Sequence, residues 1–359
     1  MTTDTVGKVA VGAVDDIERR PYPPGWLHWL LRRLDALPGP AWVAYIALGV
    51  IQSLLFHLQP WTLGRSAFGT LDTTNVYWGV ILTMMLWVAA HLDRVAGSSL
   101  EASRPALSLA DAEVARLRYE LTVDPASWSA AALVGSAVLT ILQFVVDPVG
   151  SNLVGLAAPL VVAAFVGQFV NVAILLVLLT RLVRQMRLIR VTLDRSAIID
   201  PFLPGPLSAF SRLTARAGIA LVVIVTSGIV ITPQSPDLAK FLVTSAPYLV
   251  ISPIIATLAF VVPLYGLHGR LEVEKDRLQA EVEVRLKGLL TELNRDVDAR
   301  DLQRADDLNK TLASMLQQRE VIARLPTWPW STGTLRAIIT AILLPIFLFV
   351  VQLSLARIL

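Results

Sequence analysis

Seven stretches long and apolar enough to cross a bilayer constrain this chain more than anything else in it. A transmembrane helix needs roughly 17–25 largely apolar residues. Such runs occur at Ala41–Leu58, Val76–Leu92, Trp128–Val146, Leu153–Thr180, Ala217–Thr232, Leu242–Leu264 and Gly333–Leu355. In lipid the backbone must satisfy its own hydrogen bonds, which at this run length leaves the α-helix. The expected fold class is an all-α integral membrane protein with seven transmembrane helices. Only 16% of the 359 residues are charged, against about 25% in a soluble domain, which points the same way. The fifth run is the shortest and could begin near Phe210 if Arg212 and Arg216 snorkel toward headgroups. The fourth is long and has to tilt or protrude.

Between the sixth and seventh runs lies a proline-free stretch, His268–Leu325, with twenty-three charged side chains, too many to enter lipid. Its apolar residues recur at helical spacing: Leu271, Leu278, Val282, Leu286, Leu289 and Leu293, then Leu302, Ala305, Leu308, Leu312, Met315 and Ile322. Both flanking runs must meet the same face of the membrane, so the stretch has to fold back. The turn is expected near Asp296–Asp301, with Asp298 or Asp301 as N-cap of the second helix, and with arms about 40 Å long. Glu281–Arg285, Glu283–Lys287 and Asp306–Lys310 are the expected pairs along the arms. The product is a cytoplasmic antiparallel helical hairpin, coiled-coil-like, at 265–327. Two helices carry more apolar surface than they cover in one another. Leu278, Val282, Leu286, Leu293, Leu308 and Leu312 are therefore candidate interaction residues, toward a second copy or a cytoplasmic protein.

Lysines and arginines accumulate on the cytoplasmic side of a membrane protein. With the N-terminus inside, 27 of the 31 basic residues fall on one side. Arg65, Lys240 and Arg357 fall on the other, and Arg336 opens the last run. The expected topology is N-in and C-out. Trp42, Trp61, Trp78, Trp128, Trp328 and Trp330 stand at run ends, where indoles prefer the headgroup level; Trp87 is inside a run. Residues 1–21 lack the apolar core of a signal peptide and read as a disordered tail. Residues 22–38, with Trp26, Leu27, Trp29 and Leu30 beside His28, Arg32 and Arg33, read as an amphipathic helix at the interface. The six-span region then covers 39–264, and the last span with the C-terminus 328–359. Loop 93–127 is expected to carry one short helix, beginning near a capping-box pattern at Ser108.

Chemistry is sparse. Zero cysteines exclude disulfides and thiolate sites. Arg181, Arg184, Arg187 and Arg190 recur every third residue as in a voltage sensor. They follow a complete apolar run, however, and the first three runs offer no acidic counter-charge, so a juxtamembrane basic stripe is the expectation. His28, His57, His91 and His268 lack metal-ligand spacing. Gly135 and Ser136, with Ala131 and Ala132, read as small-residue helix packing. Gln52, Gln143, Gln168 and Asn171 are the candidate intramembrane polar path, joined by Gln352. Pro159, Pro247, Pro253 and Pro345 are the expected kinks. No catalytic residue, metal, cofactor or nucleic-acid partner is expected; the partner that composition demands is the lipid bilayer.

Two segments carry a resemblance: Ile199-Asp200-Pro201-Phe202 running to Pro206–Arg216, and Trp328-Pro329-Trp330 leading to Thr334-Leu335-Arg336. They resemble stretches of uncharacterised bacterial multi-pass membrane proteins, over the C-terminal half. The resemblance implies a bacterial plasma membrane and transfers no functional residue. The expected function is a non-catalytic membrane protein whose hairpin serves assembly, signalling or scaffolding. The alternative is a small-solute channel or transporter near Gln168 and Asn171, and a membrane enzyme comes third.

Overall fold

A computed structural model describes residues 21–106, 110–146, 155–195, 202, 204–231, 246–300 and 302–358. Among these the protein is all-helical, without a strand. We number the helices α1 Trp26–Asp35, α2 Ala41–Thr62, α3 Thr73–Ser103, α4 Asp111–Thr122, α5 Ala126–Val146, α6 Ala158–Arg195, α7 Pro204–Ile231, α8 Ala246–Asp298, α9 Leu302–Ala323 and α10 Thr332–Ile358. Five of them, α2, α3, α5, α6 and α7, are long and apolar enough to cross a membrane, and α8 makes a sixth if it is counted as one bent span. The apolar stretch Thr332–Leu344 of α10 is shorter than a span, so seven spans are not reached among the described residues.

Helix α3 is the hub. Asp72 caps it by accepting from the Asn75 amide at 3.0 Å. Its residues Met85, Leu86, Ala89, Ala96 and Leu100 are buried in a core shared with Leu27 and Leu31 of α1, Ile174 and Val177 of α6, and Phe210 and Leu213 of α7. Against α2 the backbones nearly touch: a Cβ on Gly79 would lie 2.2 Å from the Gly49 carbonyl oxygen. Only glycine permits that crossing. Outward faces stay apolar, as Val134, Val138 and Ile141 on α5 and Ile46, Val50 and Leu54 on α2 show. These are the faces lipid would cover. A second cluster, Ala215, Phe260, Leu264 and Ile338, joins α7, α8 and α10.

Several elements depart from expectation. Helix α3 does not stop at Leu92 but runs on through Asp93 to Ser103, because the following residues keep a buried stripe of Val95, Ala96 and Leu100. Helix α1, the expected amphipathic helix, turns Leu27 and Leu31 into the core while Trp29 stays exposed. Helix α4 begins at Asp111, where the Glu113 carboxylate accepts from the Ala110 amide at 3.3 Å; Ser108 lies outside the described residues. Helix α8 passes through Pro253 and bends by 41° between Val262 and Leu264. That is the position of Pro263, whose missing N–H breaks the ladder there.

Beyond the bend, α8 and α9 run antiparallel. Val282, Leu286 and Ile322 form their seam, with Leu278, Leu312 and Met315 packed around it. The turn uses Arg300 in the left-handed region, φ 62°. Asp298 is the last residue of α8, so it does not cap α9, and Asp301 lies outside the described residues. The arms are unequal. Helix α9 has 22 residues, about 33 Å, and an irregular leg, Leu325–Ser331, completes the return. Of the expected pairs only Asp306–Lys310 forms, at 2.7 Å. Glu281 turns to Arg277 at 3.2 Å and Glu283 crosses to Arg319 at 3.8 Å.

Candidate functional site

The most elaborate polar assembly surrounds Arg181, which is only 2% exposed. Helix α6 carries it past the apolar run, α3 brings Asp93, and the extended link between α4 and α5 brings Asp124. Arg181 Nη1 donates to Asp93 Oδ1 at 2.7 Å, and Nε donates to Asp124 Oδ2 at 2.8 Å. Nη2 also donates to Asp124 Oδ2. A buried guanidinium is tolerable on these terms because carboxylates occupy its donors from both sides. The acidic counter-charge that the sequence reading found missing is therefore present. It comes from the C-terminal continuation of α3 and from a loop, not from the apolar part of the first three runs.

The next turns of α6 hold the same loop by its backbone. Arg184 Nη1 donates to the Val123 carbonyl at 2.7 Å, and Gln185 Nε2 to the Leu121 carbonyl at 2.8 Å. Tyr22 completes the clasp. Its hydroxyl donates to the Val123 carbonyl at 3.0 Å and accepts from Arg184, whose guanidinium lies 4.7 Å from the ring centroid. The Tyr119 hydroxyl donates to the Tyr22 carbonyl at 2.8 Å. Backbone bonds from Gly25 N to Asp124 O, 2.8 Å, and from Ala126 N to Pro23 O, 3.0 Å, stitch the entering chain to the link. Gly25 suits that close approach, since a Cβ would lie 2.8 Å from Ser129 Cβ and 3.2 Å from the Asp124 carbonyl oxygen. Burial pushes the Tyr22 phenol up to about 12. A guanidinium cannot give up its proton, so Arg181 is a fixed cation at the centre of the assembly. It fastens α3, α6 and the α4–α5 link together.

A second assembly closes the base of the α8–α9 pair. His268 stacks on Trp328 at 3.8 Å, Trp328 on Trp330 at 4.1 Å, and Trp330 on Phe260 at 5.1 Å. His268 Nδ1 bonds the Thr327 carbonyl at 3.1 Å. Lys275 Nζ donates to the carbonyls of Ala323, 2.7 Å, and Leu325, 3.1 Å.

The residues singled out in the sequence are dispersed. Gln168 Nε2 donates to Gln143 Oε1 at 3.0 Å, and Gln52 Nε2 to the Trp78 carbonyl at 3.2 Å. Neither amide atom of buried Asn171 meets a partner among the described residues. The Gln352 side chain lies outside what is described. The three described pockets are lined by none of Gln52, Gln143, Gln168 and Asn171. Of the hairpin residues, Val282 and Leu286 are buried and Leu278 and Leu312 flank them, while Leu293 and Leu308 are half-buried. The first four hold the hairpin together. The outward apolar positions are others: Val273, Val284, Leu290, Val297, Leu316 and Val321. His57 is fully buried; its Nε2 accepts from the Asp72 amide at 2.9 Å, which leaves Nδ1 to donate to the Ser53 carbonyl at 2.7 Å. Among the described residues no three His, Asp or Glu side chains converge to hold a metal ion.

The Arg181 clasp escaped the sequence reading although a signal exists. Asp93 immediately follows the second apolar run, and Arg181 immediately follows the fourth. With the N-terminus inside, both runs end at the same face, which puts opposite charges at one depth. No protein-family model, curated protein or solved structure matches the chain.

Proposed function

We propose that this is a non-catalytic membrane protein that assembles through the α8–α9 hairpin, with a second copy as the partner. One observation supports the reading above the rest: the hairpin's own seam is filled by Val282, Leu286 and Ile322, yet large apolar side chains remain outside it. Val273 and Val284, eleven residues apart, share one face of α8, and Leu290 and Val297, seven apart, share another. The hairpin is also coupled to the bundle. Helix α8 buries Phe260, Leu264, Leu267 and Leu271 in sequence, and the stacked rings at Trp328 hold the returning leg against it. An event at the outer end of the hairpin would thus reach the membrane helices through continuous packing.

In this reading the chain spans a bacterial plasma membrane seven times, α8 and α10 included, N-terminus inside and C-terminus outside, with the hairpin in the cytoplasm. The experiment is a mass measurement of the full chain in detergent beside the double variant Val284→Glu/Leu290→Glu. We expect a dimer for the native chain and a shift to monomer in the variant. Monomers throughout would overturn the proposal.

Asn171 supports a second reading, passage of a small solute, because its buried amide is left without a protein partner. Solute flux into proteoliposomes that survives deletion of 268–325 and is lost in Asn171→Leu would favour that reading over assembly.

A further inference from the structure

On the outer side of α2 and α3 an apolar groove of about 640 Å³ runs along the helix pair. At one end it meets a polar pocket of about 470 Å³ beneath α1. The two adjoin, since Trp42, Tyr45 and Trp87 line both. The apolar limb has walls of Ile46, Val50 and Leu54 on α2 and Val80 and Met84 on α3. Its floor is formed where Gly49 and Gly79 bring the backbones together. From Trp42 to Leu54 the limb follows α2 for about 18 Å, close to the ~15 Å of one leaflet's hydrocarbon.

The polar limb differs in chemistry. His28, Arg32, Asp35, Asp93 and Arg94 line it. Both carboxylates are engaged by protein donors: Asp93 by Arg181 at 2.7 Å, and Asp35 by the Tyr45 hydroxyl at 3.3 Å. The two arginines are not. Among the described residues neither Arg32 nor Arg94 forms an ion pair, and Arg94 uses only Nε on its own helix, donating to the Ala90 carbonyl at 3.3 Å. The limb therefore presents two exposed guanidiniums whose natural complement is a phosphate. The indoles of Trp42 and Trp87 stand at the junction of polar and apolar limbs, and Trp42, at a run end, is at the level such rings favour.

We propose that this two-part groove is a binding site for an anionic phospholipid, one acyl chain lying in the α2–α3 limb and the phosphate in the limb lined by Arg32 and Arg94. The site belongs to the leaflet at the α1 end, which is the inner one under the topology proposed above. Shape and length match this occupant, and the two guanidiniums left without a carboxylate partner among the described residues supply the donors a phosphate needs. A neutral alkyl chain would leave the arginines unused, and a free anion would leave the apolar limb unfilled.

The test is native mass spectrometry of the full chain in detergent, with dioleoyl phosphatidylglycerol and dioleoyl phosphatidylcholine supplied at equal concentration. The native chain should retain the anionic lipid preferentially. Arg32→Gln/Arg94→Gln should lower that retention on the order of thirtyfold, about fivefold for each basic contact, down to the level of the neutral lipid. Arg32→Lys/Arg94→Lys should keep most of the preference. Val50→Trp, which fills the apolar limb, should lower retention of both lipids. Unfolding followed by tryptophan fluorescence shows that each variant is folded. Equal retention of the two lipids by the native chain overturns the proposal. So does an unchanged preference in the glutamine variant, or unchanged retention in Val50→Trp.

Discussion

Replacing Arg181 by methionine removes the cation that two carboxylates share and leaves a side chain of similar reach. Asp124 is the costly residue, since its side chain is only 6% exposed, against 21% for Asp93. Asp93 can recruit water once unpaired, whereas Asp124 is left as a buried charge. Breaking a buried pair from one side costs about 3–5 kcal/mol, and most of that should come from Asp124. Replacing the whole group by uncharged residues is often close to neutral, so Arg181→Met/Asp93→Asn/Asp124→Asn should recover at least half of the loss. Arg181→Lys should fall between native and methionine, because one ammonium cannot reproduce the fork that meets both aspartates. Equilibrium unfolding in mixed micelles, followed by tryptophan fluorescence, measures these differences. An Arg181→Met chain within ~1 kcal/mol of native would place the pair in the range of exposed ion pairs and refute the reasoning. A triple variant no more stable than the single one would do the same.

Three further outcomes follow from the structure. Gly79→Ala should destabilise by roughly 1–3 kcal/mol, because its Cβ would lie 2.2 Å from the Gly49 carbonyl oxygen; a neutral effect in the same unfolding assay contradicts that crossing. Trp328→Ala removes two stacked ring contacts, worth roughly 1–3 kcal/mol together, and should speed amide exchange across 325–331, read by mass spectrometry; unchanged protection contradicts the stack's role. Tyr22 supplies a pH dependence, since burial raises its phenol to about 12 from the ordinary value of about 10. Between those values the folded chain keeps a proton that the unfolded chain has lost, so its contribution is complete below pH ~10 and declines as pH rises toward ~12. Tyr22→Phe should flatten that decline; an identical slope in the variant contradicts the assignment.

The helical membrane architecture was legible because apolar run length in lipid leaves the backbone few alternatives. Fold-back of the charged stretch was legible because its charges keep it out of lipid and the chain has to return; the seam was not, since periodicity marked Val282 and Leu286 as apolar without showing that they face Ile322 of the other arm. The arginine clasp was not. Asp93 was assigned to a loop, and its membership in α3 depends on Val95, Ala96 and Leu100 finding partners on other helices. Asp124 reaches Arg181 only because the chain near Pro23 and Gly25 pins the link from the far side, a contact across about a hundred residues that local pattern does not encode. The bend of α8 falls at Pro263, whereas Pro253 passes through continuous helix, so proline's presence does not by itself locate a kink. Glu283 illustrates the same limit: Lys287 is its neighbour in sequence, yet the second arm brings Arg319.

Intermolecular crosslinking of single cysteines in native membranes tests the central claim most directly, because the chain has no cysteine of its own. With a short bis-maleimide, Val284→Cys and Leu290→Cys, on the outside of the hairpin, should give dimer in high yield. Val282→Cys, in the seam, should give little. Assembly through the hairpin predicts that contrast. Equal yields at outward and seam positions, or monomer at all three, would contradict it.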